Sequence, residues 1–332
     1  MTYNQEKYVR EAVRGLLAQT YDPLEVVISD DCSSDRTWAI VLEEVERYKK
    51  TGGHHQVVLN RNERNLGIAA NVRRISELKH GIMSVACGGD DISFPNRVER
   101  IVEAWISSGR TATLIHHGYY EIDEDGRRIR VMPPRSARVS LGATCAYVND
   151  GSGVKFPRFA DFLTIEDQVL AKRALMRGPE LRIQEPLMSY RVGLGISTKF
   201  HSFRDKLLRD GTTMVQSCRQ LYMDLDAVRG KIHPDRYELV KKMVDELMLD
   251  YRARVDMAVG RSARIRFAAI RTRIKNGSIV PRSLGFVFRD LMFVLPAWIG
   301  DPIIDAYERI RRRRNLKKDL KSVAVLQGNE AK

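Results

Sequence analysis

Apolar positions along the first half of the chain alternate between two periods. Tyr8, Val9, Ala12, Val13, Leu16 and Leu17 recur at helical spacing and make one face of an amphipathic helix. Leu24 to Ser29 then reads as a strand. Trp38, Val41, Leu42, Val45 and Tyr48 form the inward face of a second helix, with Asp35 placed to cap it. Gln56 to Leu59 is another extended segment, and Asn65-Leu66-Gly67 turns the chain into a helix through residue 79. Ile82 to Ala86 is an apolar run that reads as a buried strand. Strands alternating with helices in this way predict an α/β fold with a doubly wound, mostly parallel sheet.

The pattern continues with a helix over Pro95 to Ile106, its inward face being Val98, Ile101, Val102 and Trp105. A strand over Ala112 to His116 follows, then a hairpin from Tyr119 to Val131 turning at Asp125-Gly126. Residues 132–140 are rich in Pro, Arg and Ser and read as a loop. A helix opening at Thr164 runs to Arg177, and Pro186 to Val192 reads as a strand. Beyond residue 200 the pattern turns helical and charged, roughly over 203–229 and 234–260. The boundaries predict an α/β domain over 1–200 and a helical, basic extension over 201–332.

The chemistry concentrates in Cys87-Gly88-Gly89-Asp90-Asp91, between the strand at 82–86 and the helix at Pro95. Adjacent carboxylates after a strand sit where open α/β sheets bind ligands. Their hard oxygens suit Mg²⁺ or Mn²⁺, which retain waters and accept phosphate oxygens. Two glycines let backbone and ligand approach closely. A plain turn, with both aspartates in water and capping the next helix, would use the same residues. Glu166 and Asp167 open a later helix, where negative charge is favoured in any case; one of them is also suited to take a proton as a general base.

Thr2-Tyr3-Asn4, Gln19-Thr20-Tyr21, Glu25-Val26-Val27-Ile28, Asp30-Asp31-Cys32-Ser33-Ser34-Asp35-Arg36-Thr37, Asn65-Leu66-Gly67 and Gly89-Asp90-Asp91 occur in that order. The set resembles the family 2 glycosyltransferases, nucleotide-sugar-dependent enzymes of the GT-A fold, over roughly residues 1–200. Its most specific part is the block Asp30 to Thr37. The resemblance implies that Asp31 contacts the nucleotide base, that Asp91 binds the divalent metal (Mg²⁺ or Mn²⁺) at the diphosphate, and that Asp90 lies near the ribose or metal. It also implies donor-binding positions at Thr2, Tyr3, Asn4 and Asn65. Asp167 matches the general base, and Arg191, in a closing Tyr-Arg strand, is implied to assist at the diphosphate. The chain departs from the pattern in three places. This sequence starts at the Thr-Tyr-Asn element, after the point where the family carries an apolar strand, Gly88 stands where many relatives carry Asp, and Val192-Gly193-Leu194-Gly195 follows Arg191 where relatives often have a His.

Charge changes the picture at one end only. The 332 residues carry a net charge of +14, and residues 261–321 hold 16 Lys and Arg against 5 Asp and Glu. That concentration argues against nucleic acid as a partner, because a binder would weave its basic surface into the folded domain. Phe286, Phe288, Phe293 and Trp298 lie close to Arg311–Arg314, Lys317 and Lys318, a combination suited to an anionic membrane surface. The apolar run Leu291 to Ile299 is too short to span a bilayer. Cys32, Cys87, Cys145 and Cys218 lie far apart and show no metal-type spacing, which fits a reduced chain. His116 and His117, adjacent on a strand, face opposite ways. With no apolar leader over residues 1–20, the expectation is a cytoplasmic enzyme, peripheral on the membrane. It would be an inverting, metal-dependent hexosyltransferase moving a sugar from a nucleoside diphosphate to a hydroxyl of a cell-surface glycan or lipid-linked saccharide. The competing readings are a nucleotidyltransferase and an inactive, membrane-associated scaffold.

Overall fold

The computed structural model describes residues 1–149, 151–193, 202–260, 263–275, 292, 293, 295 and 300–310. The chain divides into two compact units, one of Met1–Val192 with Met223–Val240 and one of Gly193–Tyr222 with Lys241–Lys332.

In the first unit, β1 (Glu25–Asp30) and β2 (Gln56–Arg61) pair in parallel, from Glu25 opposite Gln56 to Asp30 opposite Arg61. Helices α1 (Val9–Leu17) and α2 (Thr37–Lys50) cover them. Val9, Val13 and Leu17 meet Val26, Ile28, Ile40, Val41 and Val45 in one buried cluster. Leu42, expected inward, is instead 42% exposed. The buried stripe of α2 runs through Thr37, Ile40, Val41, Glu44 and Val45, a phase that brings the Glu44 carboxylate to the α1 face. There it accepts hydrogen bonds from Arg10, Arg14 and Arg47.

The rest of this unit comprises α3 (Ile68–Leu78), β3 (Met83–Val85), β4 (Ile92–Ser93), α4 (Arg97–Ser107), β5 (Leu114–Ile122), β6 (Arg128–Met132), β7 (Cys145–Val148), α5 (Asp167–Arg177) and β8 (Glu180–Arg191). A six-stranded sheet runs β3-β7-β5-β8-β4, with β6 also on β5. The α/β class and the helical C-terminal region are as the pattern predicts. The pairing is mixed rather than mostly parallel: among the described strands only β1–β2 and β5–β8 are parallel, and four pairings are antiparallel. Two features account for three of the four antiparallel pairings. β5 folds straight back into β6 through the turn at Gly126, whose φ is +83°, and β7 returns between β3 and β5 against both. β3 thus ends the sheet order rather than lying at its centre; its residues are half-buried and the preceding Ile82 is 63% exposed.

Two tethers fix α1 and the first residues against the acidic turn. Thr2 forms a parallel bridge with Asp30, on the edge of β1 away from β2, while the Met1 amine donates to the Cys87 carbonyl at 3.3 Å. Gln19, buried just after α1, donates to the Gly15 and Phe94 carbonyls and accepts the Val98 N–H.

The second unit contains most of α6 (Phe203–Val228) and α7 (Pro234–Val259), together with α8 (Ala263–Lys275) and a helical stretch over 300–310. Its core joins Leu207, Ala253, Met257, Ala258, Ala269, Ile270, Phe293 and Ile304. Phe293, expected at a lipid interface, is fully buried there, with the Arg204 guanidinium 5.0 Å above its ring and paired with Asp301. Apolar contacts within the protein take up the surface that lipid would otherwise cover. Phe286, Phe288, Trp298 and the basic run 311–318 lie outside the described residues. Among those described, no helix is long and apolar enough to cross a membrane.

The Glu44 cluster gives a pH signature. Burial works to raise this carboxyl, but the hydrogen bonds from Arg14, Arg47 and Arg10 outweigh it and hold the group at about 2, below its ordinary 4.5. A depressed folded-state value means that the contribution is complete above about pH 4.5 and is lost as pH falls toward 2. The three arginines are each 39–53% exposed, so solvent screening reduces the gain. Glu44→Gln should cost about 1–3 kcal/mol at pH 7 in urea denaturation, and the gap from wild type should narrow below pH 4.5.

Candidate active site

Asp30 ends β1 and Asp31 follows it, and their neighbours give the two aspartates different work. Asp30 is fully buried; it accepts Thr2 Oγ1 at 3.0 Å, the Ser33 N–H at 2.9 Å and the Ser33 hydroxyl, with Arg61 Nε at 3.6 Å. Asp31 accepts Asn62 Nδ2 at 2.8 Å and the N–H groups of Leu66 and Gly67 at 2.9 Å each. Gly67, at φ +83°, also donates to Asn65 Oδ1 at 2.9 Å. A carboxylate offers about four acceptor positions, so Asp31 shapes the 62–67 loop and keeps about one lone pair for another donor.

The Thr2-Tyr3-Asn4 element is laced to the block that follows β1. The Asn4 N–H donates to Ser33 Oγ at 2.9 Å and Asn4 Oδ1 accepts the Ser34 N–H at 2.8 Å. The next residues continue the ladder, Gln5 N–H to Thr37 Oγ1 at 2.7 Å and Glu6 N–H to Asp35 Oδ2 at 3.1 Å. Asn4 (φ +50°) and Cys32 (φ +63°) both take left-handed backbone, a cost that this network offsets. Tyr3 remains 44% exposed.

Gly88 explains the acidic turn. A Cβ at that position would lie 2.8 Å from Asp90 Oδ1 and 2.8 Å from Asp91 Oδ2. Both carboxylates therefore converge on the space that a side chain would fill. At Gly89 a Cβ would collide with Gln5 and Thr2, so the two glycines seat the turn against the first residues of the chain. Asp91 is buried and accepts the Arg191 backbone N–H at 3.0 Å. Burial and then the neighbouring Asp90 charge raise its carboxyl above the ordinary range, and burial raises Asp90 as well. A buried carboxylate facing a half-buried one favours the protonated form.

The second carboxylate pair opens α5. Asp167 accepts the Gly142 N–H at 3.0 Å, and a Cβ on Gly142 would lie 2.5 Å from Asp167 Oδ1. Glu166 is buried and its Oε2 has no hydrogen-bond partner. Burial raises both groups, and at Glu166 the Asp167 charge adds to it. Tyr190 links the two pairs: its phenol is raised by burial and then by the charges of Asp91, Asp90 and Asp167 together.

Arg191 is placed differently from a free diphosphate ligand. Its side chain is 2% exposed; Nε donates to the Asp90 carbonyl at 3.1 Å, Nη1 to the carbonyls of Asp123 and Glu124 at 2.9 Å, and Nη2 to Glu11 at 3.0 Å. The guanidinium thus braces the acidic turn from behind. His116 and His117 are both buried in β5. His117 Nε2 accepts from Arg97 Nε at 2.9 Å while its Nδ1–H donates to the Gly118 carbonyl. His116 is lowered to about 4 by burial and faces Cys145 Sγ at 3.3 Å. Sequence reading passed over Arg97, which is buried under the acidic turn and donates to Ser93 Oγ and to the carbonyls of Ala86 and Ala143. The available signal was an arginine beside Val98 and Ile101 in the inward stripe of α4. Tyr190 stood in the Tyr-Arg strand motif without a role, and Gln5 and Gly142 carried no signal.

The family model described as glycosyl transferase family 2 matches residues 1–158. Residues 1–158 are thus similar to glycosyl transferase family 2. The chain is 34% identical over 143 residues to an uncharacterized protein of Mycobacterium tuberculosis, covering 42% of this chain and 40% of that one. It is 32% identical over 139 residues to an uncharacterized glycosyltransferase of Rickettsia felis, covering 40% of this chain and 21% of that protein. The matched region thus spans well under half the length of these curated relatives. Among solved structures, the mannosyltransferase PcManGT of Pyrobaculum calidifontis, determined in complex with GDP-Man and Mn²⁺, aligns at a TM-score of 0.55 and 16% identity, covering 95% of this chain and 85% of that one. That likeness supports the GT-A type of α/β fold.

Asp31→Asn replaces an acceptor with an amide that cannot satisfy all three N–H donors. It should lower stability by about 1–3 kcal/mol and speed amide exchange at Leu66 and Gly67 relative to β1. Unchanged exchange there would show that the loop holds itself.

Proposed function

We propose that the chain is an inverting glycosyltransferase that moves a hexose-type sugar from a nucleoside-diphosphate donor to a hydroxyl of a glycan or lipid-linked saccharide. The observation that carries this reading is the convergence of Asp90 and Asp91 on the side-chain-free space at Gly88. This donor set fits Mg²⁺ or Mn²⁺: two hard carboxylates, raised by burial and so poised to exchange a proton for a cation, beside a cradle that any Cβ would block. When bound, the ion would neutralise charge on the departing diphosphate.

The chain's own residues do the rest. The loop held by Asp31 and Asn65 and the Thr2-Tyr3-Asn4 ladder form the donor's nucleotide side, with the remaining lone pair of Asp31 accepting a base N–H. Asp167 takes the acceptor proton. As the acceptor oxygen bonds to the anomeric carbon, the bond from that carbon to the diphosphate oxygen breaks and its electrons leave with the nucleotide. The Gly142 N–H orients the Asp167 carboxylate, and the unpartnered Glu166 oxygen next to it is the second place for the proton. Arg191 acts at the diphosphate side indirectly, by holding the Asp90–Asp91 backbone. Residues 1–200 carry this chemistry, and the basic 261–321 segment of the helical extension brings it to an anionic membrane surface on the cytoplasmic side. Two carboxylate pairs, each with one fully buried member (Asp91 and Glu166), favour an enzyme over an inactive scaffold, because a scaffold gains nothing from their desolvation.

A panel of nucleotide sugars with Mn²⁺, scored for release of nucleoside diphosphate, tests the activity; silence across the panel with every acceptor tried would overturn it. In calorimetry, Asp91→Asn should remove the Mn²⁺-dependent part of nucleoside-diphosphate binding. Asp167→Asn should leave donor affinity near wild type and reduce turnover by about 10²–10⁴-fold. Full turnover in that variant would move the proton to Glu166.

A further inference from the structure

A second group of ligand-type side chains lies at the opposite ends of the first two strands. Asp22 precedes β1 by three residues and His54-His55 run directly into β2. β1 and β2 are parallel, so these residues share their amino ends, while Asp30 and Asp31 lie at the carboxyl end. Six residues of strand separate the two places by about 20 Å.

One carboxylate oxygen of Asp22 and one ring nitrogen from each of His54 and His55 lie within 4.8 Å of one another. Asp22 Oδ1 is 3.8 Å from His54 Nε2, and both side chains are 63% exposed. His55 is the fixed member, 7% exposed, with its ring stacked on Tyr48 and its backbone N–H donating to the Tyr48 hydroxyl at 3.0 Å.

The hydrogen bonding of His55 carries the argument. Nε2 lies 2.9 Å from the Gln19 carbonyl. A carbonyl oxygen can only accept, so Nε2 bears the proton and Nδ1 bears the lone pair. That Nδ1 is buried and has no hydrogen-bond partner among the described residues. An uncompensated buried acceptor is destabilising, and no neighbouring donor relieves it. One ring N–H on a backbone carbonyl with the other nitrogen left bare is the arrangement that fixes metal-ligating histidines in tautomer and orientation.

We propose that Asp22, His54 and His55 bind a divalent transition-metal ion of the borderline class, Zn²⁺ foremost, at a site separate from the acidic turn. Two imidazoles and one carboxylate fill three tetrahedral positions and leave one for water. Imidazole nitrogen selects Zn²⁺, Ni²⁺ or Cu²⁺ over the oxygen-seeking Mg²⁺. Ligand atoms around tetrahedral zinc sit about 3.3 Å apart, so the exposed Asp22 and His54 side chains close on the fixed His55 by rotation. The bound ion joins the segment entering β1 to the segment entering β2, and through Gln19 to the end of α1. It is a structural clasp, and its existence does not depend on the glycosyltransferase reading.

The test uses the full chain, stripped with a chelator and titrated with Zn²⁺ in millimolar Mg²⁺. One equivalent should bind and raise the Tm, and the His55 imidazole ¹⁵N resonance of Nδ1 should move while Nε2 keeps its proton. Asp22→Asn and His54→Ala, both exposed and tolerable to the fold, should each weaken uptake at least about tenfold. Asp91→Asn should retain the equivalent, separating this site from the acidic turn. No stoichiometric uptake, or uptake unchanged in both Asp22→Asn and His54→Ala, overturns the proposal.

Discussion

A guanidinium buried beneath an acidic turn holds the candidate site together. Arg97 has no carboxylate partner among its hydrogen bonds; it binds Ser93 Oγ, the carbonyls of Ala86 and Ala143, and the bare nitrogen of His117. Those contacts gather the end of β3, the start of α4, the strand β5 and the turn before β7. The first places Asp90 and Asp91, and the last places Gly142 against Asp167. Its charge also eases the crowding of Asp91, although burial dominates there. A buried cation with neutral partners is costly unless it is fully hydrogen-bonded. That requirement leaves little freedom to the segments that bond it.

The acidic turn shows how an apparent loss can be a geometric need. A third carboxylate at position 88 would add a ligand on paper. In this backbone it would occupy the space toward which Asp90 and Asp91 point. The glycine leaves that space open, and burial leaves two carboxyls that release their proton more readily when positive charge arrives.

The strand–helix alternation, the hairpin at Asp125-Gly126 and the long helices after residue 200 were readable from periodicity, since each is a local pattern. The sheet order was not, because strand pairing joins residues far apart and a three-residue β3 has the same local pattern at an edge as at a centre. Leu42 misled because apolar spacing fixes a helix face only to within one residue. Here a buried Glu44 with three arginines set the rotation of α2. Phe293 misled because aromatic residues beside basic ones look alike on a lipid surface and in a small helical core. The acidic pairs were visible as adjacent letters, and Arg97 as an arginine in an inward stripe, whereas Gln5 and Gly142 act through contacts that no spacing encodes.

Arg191 carries a consequence for communication within the first unit. Its backbone N–H holds the Asp91 carboxylate, and its side chain holds the Asp90 carbonyl, the carbonyls of Asp123 and Glu124 in the β5–β6 hairpin, and Glu11 on α1. One residue thus spans the acidic turn and a hairpin tip more than 30 positions away in sequence. A ligand that shifts the hairpin tip alters how firmly Asp91 is held. By thermodynamic reciprocity, any ligand taken up at Asp91 would alter the hairpin's affinity for its own ligand by the same factor.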